Sequence, residues 1–204
     1  KISTMKLEIT PPEYSNIKPY IQSDNRITHF ELLAGTKVAI NITSNKELQK
    51  AWMKLNNSNS INLTTKNKSA TGEFKFHSDT TLRVFLFDKS NDYNINPIQY
   101  HFHLQKDNAP NIIVTKPKSE FILDESYKIP FNINVYDDFG IKETGIEFQI
   151  FESGNYTKLD TLILKSFNKN HPTNLNFFDN WNIGTLPISM GDELHFWFYV
   201  IDNN

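Results

Sequence analysis

The chain has no cysteine, only seven glycines and no long apolar run among its 204 residues. The absence of cysteine excludes thiol nucleophiles, disulfides, Cys-ligated zinc and iron–sulfur clusters. The glycines are scattered and form neither a Gly-x-Gly-x-x-Gly nor a Walker-type loop, so no phosphate-binding loop is predicted. No segment approaches the roughly 18–20 consecutive apolar residues of a membrane helix, and no basic start precedes an apolar stretch as in a signal peptide.

The chain also lacks an excess of charge of either sign. Its formal net charge is −2, from 21 basic and 23 acidic residues. Nucleic-acid binding depends on clustered lysines and arginines that displace counterions, so this balance argues against nucleic acid as a partner. Neither a Gly-x-Ser-x-Gly elbow nor a His-Glu-x-x-His motif occurs, and no carboxylate pair stands out. The sequence therefore predicts a globular protein that is not an enzyme.

Apolar and polar residues alternate with a period of two over most of the chain. Val38, Ile40 and Ile42, for example, fall on one face of a predicted strand. Such alternation is typical of strands with one face towards a core and one towards water. Only Ser44–Trp52 has a pattern that fits a short helix, and turn-forming clusters such as Asn56–Ser60 separate the strands. Many short strands separated by turns predict an all-β sandwich.

The two halves of the chain resemble each other. Three pairs of segments match: Leu7–Pro12 with Ile112–Pro117, Lys37–Ile42 with Lys128–Ile133, and Asp107–Asn108 with Asp202–Asn203. Repetition over about 100 residues, with the stiff dipeptide Ala109-Pro110 between the copies, indicates two domains in series. We predict two tandem immunoglobulin-like β-sandwich domains, at residues 1–107 and 108–204.

Histidine and tryptophan residues supply the first candidate ligand-binding side chains. His101 and His103 are predicted to share one strand face about 7 Å apart, which fits a two-His metal site less well than a solvated strand face. Trp52 and Trp197 are predicted to pack in the core. Trp181 lies in a polar stretch between two asparagines, so it is the predicted exposed platform for a sugar ligand.

Acidic residues are predicted to meet near the boundary between the domains. If Lys128–Tyr136 forms the second strand of the second domain, the next loop carries Asp137 and Asp138 to the end where that domain begins. The two carboxylates would then lie beside Asp107 and Asn108. Calcium prefers such oxygen ligands, but Asp in a turn more often binds backbone N–H groups. The residues therefore predict either a calcium site or, more commonly, a hydrogen-bonded joint without metal or other cofactor.

The same loop contains Gly140, which is predicted to allow a turn with positive φ. Asp137 or Asp138 would accept backbone N–H groups in that turn.

Four segments resemble a bacterial family of unknown function. They are Pro11–Pro19, Glu31–Val38, Val135–Ile141 and Met190–Asn203. The last two are similar to the family's Asp-Asp-Tyr/Phe-Gly-Ile element and to its closing run of Gly-Asp, alternating aromatics and Asp-Asn. Its members are large membrane-anchored envelope proteins, often encoded near MoxR-type ATPases and von Willebrand A-domain proteins. The resemblance implies a periplasmic or extracellular setting in the cell envelope and transfers no catalytic residue. Separately, Asp107–Pro110 is similar to the end of the cadherin linker, where calcium lies between successive domains.

Together these observations predict a non-enzymatic structural or protein-interaction segment of a larger exported bacterial cell-envelope protein. The start at Lys1 without methionine and the stop at Asn204 directly after a strand-like run fit such a fragment. Its expected partners are other envelope proteins. We expect no membrane contact within these residues, although the full-length protein would be membrane-anchored. The alternative is a carbohydrate-binding module of an exported protein.

Overall fold

The computed structural model describes residues 1–56 and 60–204. The chain divides into two compact units, unit 1 (Lys1–Lys106) and unit 2 (Asp107–Asn204). Both consist of β-strands, and one short 3-10 turn lies at Glu13–Ser15. The predicted all-β, immunoglobulin-like sandwich class is confirmed. Residues 57–59 of the predicted turn at Asn56–Ser60 lie outside the described residues.

Unit 1 is a sandwich of two five-stranded sheets, ordered β2-β1-β4-β8-β7 and β3-β10-β9-β5-β6. Its strands are β1 (Ile2–Thr10), β2 (Tyr20–Gln22), β3 (His29–Leu32), β4 (Lys37–Ser44), β5 (Leu48–Leu55), β6 (Ile61–Asn62), β7 (Thr64–Lys66), β8 (Ser69–Lys75), β9 (Thr80–Asp88) and β10 (Gln99–Leu104). The alternation seen in the sequence decides which side chains lie between the sheets. Val38, Ile40 and Ile42 of β4 are buried and contribute to one continuous apolar core.

Strand β5 replaces the helix-like pattern noted at Ser44–Trp52, and that interpretation is wrong. A bulge between Leu48 and Lys50 inserts one residue into the ladder with β9, so the buried positions Leu48 and Ala51 are three residues apart. A β-bulge interrupts the period of two, and here it produces a spacing that imitates a helical face.

Unit 2 contains two smaller sheets. One is ordered β11-β12-β16, and in the other β13 lies between β17 on one side and β14 and β15 on the other. The strands are β11 (Asn111–Lys116), β12 (Lys128–Tyr136), β13 (Ile141–Glu152), β14 (Asn155–Tyr156), β15 (Asp160–Ser166), β16 (Asn174–Asn182) and β17 (Glu193–Asp202). The predicted strand Lys128–Tyr136 is confirmed as β12. Its alternate residues Ile129, Phe131, Ile133 and Val135 are buried in the core of this unit.

Among the residues that the structure describes, no helix is long and apolar enough to cross a membrane.

Candidate functional site

The loop after β12 brings the four predicted acidic and amide residues together within unit 2. The backbone N–H and the side-chain Nδ2 of Asn108 donate to Oδ2 of Asp138, at 3.3 and 2.9 Å. Oδ2 of Asp107 accepts a hydrogen bond from Nδ2 of Asn204. The prediction that the first residues of unit 2 lie close to this loop is therefore confirmed. Hydrogen bonds hold these residues in place.

Asp137 shapes the turn in which it lies. The residue is only 1 % exposed, and its Oδ2 accepts the backbone N–H groups of Phe139 and Gly140 at 2.9 and 2.6 Å. Gly140 has φ +135°, a backbone conformation that side chains with Cβ rarely adopt. The predicted glycine turn, with an aspartate accepting its N–H groups, is confirmed.

Asp107 is partly buried close to other carboxylates. Burial raises the pKa of Asp107, and the nearby charges of Asp202, Asp138 and Asp137 raise it further, while the hydrogen bond from Asn204 lowers it. One oxygen, Oδ1, of each of Asp107, Asp137 and Asp138 is buried without a hydrogen-bond partner. Buried polar atoms normally have such partners, so these three oxygens are left unsatisfied. Within residues 1–56 and 60–204, however, no group of three or more His, Asp or Glu side chains is arranged to hold a metal ion.

A second feature of unit 2, not found by sequence reasoning, is an open groove of about 1190 Å³. We call it the β11–β17 groove, because it lies between β11, the segment 117–123 and the first half of β17. The apolar side chains that line it include Val114, Phe121, Leu123, Leu194, Phe196 and Phe198.

The groove exposes apolar surface and two strand edges. Ile122 is 94 % exposed, and Val114 and Phe121 are each exposed by more than two fifths. In unit 2, every residue of which is described, β11 pairs only with β12 and β17 only with β13. An exposed apolar patch beside unpaired strand edges is characteristic of a surface that binds another polypeptide.

The tryptophans lie differently from the predictions. Trp181 is 7 % exposed and packs against Phe148 and Phe196, with ring centroids 5.1 and 5.6 Å apart, so the predicted exposed platform is wrong. Its two neighbouring asparagines are on the opposite face of β16, because successive side chains of a strand alternate. Trp197 is 49 % exposed, which contradicts its predicted place in the core. Trp52 is half-buried and stacks on Phe85 in unit 1.

The histidine pair of β10 shares one strand face, as predicted. The ring of His29 on β3 lies 4.9 Å from that of His101 and 6.2 Å from that of His103. Nδ1 of His101 is 3.3 Å from the hydroxyl of Thr81, and Nδ1 of His103 is 3.3 Å from a carboxylate oxygen of Asp79. Because the rings are stacked, their nitrogen atoms lie in roughly parallel planes. This arrangement does not favour binding of one metal ion by nitrogen atoms of all three rings.

Comparison with known proteins finds no matching family model and no match among curated proteins. Among solved structures, the chain is similar to fibronectin(III)-like modules of Clostridium thermocellum CbhA, with 13% identity and a TM-score of 0.32, over 88% of this chain and 85% of that one. It is also similar to dimeric latent PorU from Porphyromonas gingivalis, with 10% identity and a TM-score of 0.35. That match covers 98% of this chain, which spans only 20% of the PorU chain. At these values the similarities indicate nothing about ligand, partner or activity.

Proposed function

We propose that the chain is a non-enzymatic, protein-binding segment of a larger exported bacterial cell-envelope protein, and that the β11–β17 groove is its binding surface. The immunoglobulin-like fold fits a structural or interaction module of a larger protein. The groove is the observation that carries the proposal, because it combines exposed apolar side chains with unpaired strand edges. The envelope setting comes from the sequence resemblance alone.

Photocrosslinking in the cells that make the protein tests this proposal. A photoreactive phenylalanine analogue at Ile122, on the rim of the groove, is expected to give a crosslinked product that mass spectrometry identifies as one envelope protein. The matched control places the analogue at Ile21, which is 63 % exposed on β2 of unit 1. A product pattern at Ile122 identical to that at Ile21, or recovery of the protein in the cytosolic fraction, would contradict the proposal.

A second function, calcium binding, is favoured by the three partnerless carboxylate oxygens of Asp107, Asp137 and Asp138. Calcium takes six to eight oxygen ligands at about 2.3–2.6 Å, and a bound cation would counteract the burial and the neighbouring carboxylate charges that raise the pKa of Asp107. The side chains would have to turn towards one another to form such a shell, with carbonyl groups and water completing it.

Calorimetric titration of the chelator-treated protein with calcium chloride tests this function. Saturable heat that Asp138→Asn abolishes is the expected result, together with a higher melting temperature in calcium. The control is Asp179→Asn, which changes an exposed aspartate of β16 in the same unit. No heat with the unaltered protein would establish that the cluster is only a hydrogen-bonded loop.

A further inference from the structure

The outer face of one sheet of unit 1 carries cations and aromatic rings. In β9 the buried residues Leu82 and Val84 alternate with Arg83 and Phe85, whose side chains therefore project away from the core. Strand β10, and β5 after its bulge, alternate in the same way. We call this surface the cationic face, and its residues are Lys50, Trp52 and Lys54 of β5, Arg83 and Phe85 of β9, and Gln99 of β10.

Arg83 lies at the centre of the cationic face without an anionic partner. It pairs with Lys54 of β5 on one side and with Gln99 of β10 on the other, so two cations lie directly opposite each other. Like charges in such positions destabilise a sheet. Nε of Arg83 is buried without a hydrogen-bond partner, although buried polar atoms normally have one. None of the ion pairs between described residues includes Lys50, Lys54 or Arg83.

The rows of side chains on either side of Arg83 add apolar surface and uncharged polar groups. On one side, the rings of Trp52 and Phe85 stack with centroids 5.5 Å apart and an angle of 7° between their planes. Both residues are half-buried, so part of each side chain remains exposed. On the other side lie Thr81 and His101, which also pair directly across the two strands.

The carboxylates of this sheet lie away from Arg83. The acidic residues of its five strands are Asp88, which is buried, and Glu31, which pairs with His103. Nδ1 of His103 is also 3.3 Å from Oδ2 of Asp79. His103 is four residues along β10 from the position opposite Arg83, or roughly 13 Å away. The face around Arg83 is therefore positive and attracts an anionic ligand.

We propose that the cationic face binds an acidic polysaccharide, whose sugar residues carry carboxylate groups as uronic acids do. One carboxylate lies between Arg83 and Lys54, and an adjacent sugar ring packs its C–H groups against Trp52 and Phe85. The surface belongs to unit 1, so the inference is independent of the binding proposed for the β11–β17 groove.

The bonding capacity of Arg83 fits a carboxylate. A guanidinium group offers five N–H donors in a planar fork, which matches the two oxygens of a carboxylate. Such charge-assisted hydrogen bonds are roughly twice as strong as those between neutral groups. A carboxylate in this place would supply the partner that Nε lacks and would compensate the opposed charges of Arg83 and Lys54.

The surroundings of Arg83 favour a polysaccharide over other anionic polymers. Strands β5, β9 and β10 each have paired neighbours on both sides, so the face offers side chains but no free backbone edge for an added peptide strand. Gln99 and Thr81 both donate and accept hydrogen bonds, as sugar hydroxyl groups do. The formal net charge of −2 argues against a nucleic acid, whose binding requires many more cations.

Isothermal titration calorimetry of the full chain with a short oligomer of galacturonic acid tests the inference. The control ligand is the same oligomer with its carboxyl groups methyl-esterified, which keeps the sugar rings but removes the charge. We expect saturable heat with the acidic oligomer and at least about tenfold weaker binding of the ester. In NMR spectra, the indole N–H signal of Trp52, assigned with Trp52→Phe, is expected to shift on binding, whereas the signals of Trp181 and Trp197 stay in place.

Variants of unit 1 localise the binding. Arg83→Gln is expected to weaken the acidic oligomer at least about tenfold, and Arg83→Lys to weaken it less, because lysine keeps the charge but not the planar fork. Lys54→Gln is expected to weaken it measurably, whereas Lys6→Gln is expected to leave the affinity unchanged. Lys6 is an exposed residue of β1 in the other sheet of unit 1, so both lysine variants remove the same charge. Circular dichroism checks that each variant folds, and the comparison of the two oligomers on the unaltered protein requires no variant.

Several outcomes would overturn the inference. They are no saturable heat up to about 1 mM oligomer, equal affinity for the ester, and equal effects of Lys54→Gln and Lys6→Gln. An oligoglutamate or a single-stranded oligodeoxynucleotide of the same charge that binds as tightly would show that the face takes an acidic polypeptide or a nucleic acid instead. A shift of the Trp197 signal without one of Trp52 would place the ligand in unit 2 and would also contradict the assignment.

Discussion

Replacing Gly140 by alanine tests how strictly the loop after β12 requires glycine. A Cβ at this position would lie 2.6 Å from Cβ of His171 and 2.9 Å from the carbonyl oxygen of His171. The carbonyl belongs to the backbone, so rotation of a side chain cannot remove that contact. The residue also has φ +135°, which alanine avoids even where space is free.

The expected cost follows from three contributions. An unfavourable backbone conformation costs about 1–3 kcal/mol, and forcing extra atoms into a packed site costs about 1–3 kcal/mol. Replacing glycine also reduces the entropy of the unfolded chain, which stabilises the folded state by about 0.4–1 kcal/mol. We therefore expect Gly140→Ala to lower the free energy of unfolding of unit 2 by about 2–4 kcal/mol.

Gly154→Ala provides the matched control, because Gly154 has φ +85° and, apart from its chain neighbours, no atom lies within 4 Å of the point that a Cβ would occupy. Without crowding, it should lose only the backbone contribution, less the same gain from the unfolded chain, about 1 kcal/mol in all. Urea unfolding followed by tryptophan fluorescence measures both variants, with Trp52→Phe as background so that the remaining tryptophans lie in unit 2. Equal unfolding midpoints for the two variants would refute the reasoning that crowding at His171 adds to the cost.

The remaining predictions concern three side chains of unit 2. Trp181→Ala is expected to lower the free energy of unfolding by about 3–5 kcal/mol in urea, because the ring is buried, and a smaller loss would contradict that role. Tyr199 donates to Oε1 of Glu143 at 2.8 Å, and burial, followed by this hydrogen bond, raises the pKa of Tyr199 to about 12. The raised pKa stabilises the fold fully below pH 10 and the effect is lost towards pH 12, so the stability deficit of Tyr199→Phe should shrink over that interval in pH-dependent unfolding. Burial, with the neighbouring carboxylates, raises the pKa of Asp107, so its ionisation opposes folding. In chelator, Asp107→Asn should therefore unfold at a higher temperature than the unaltered protein at about pH 7, and this advantage should disappear in acid.

Local sequence determined the strands and the turn at Asp137. In β12 the alternation of Ile129, Phe131, Ile133 and Val135 predicts both the strand and its buried face, because side chains of a strand project to opposite sides in turn. The same local chemistry predicts the turn at Gly140, since an aspartate can accept the N–H groups of residues two and three positions later. Features that depend only on neighbours along the chain were therefore predictable.

The fate of each tryptophan depended on the tertiary structure. The polar residues around Trp181 suggest exposure, yet their side chains project away from the core, and the ring packs between Phe148 and Phe196 from other strands. Trp197 lies in an aromatic run that suggests burial, but it is on the outer face of an edge strand. Burial depends on which face meets the opposite sheet, and composition over a few residues does not specify that face.

The sequence by itself determined an all-β protein with a repeated strand pattern and an acidic, glycine-containing loop near the start of the second repeat. Only the tertiary structure decided that β17 pairs with β13 within unit 2 and that its first half, β11 and the segment 117–123 border an apolar groove. Strand pairing joins residues far apart along the chain, so an uncovered edge becomes visible only when every neighbour in the sheet is known.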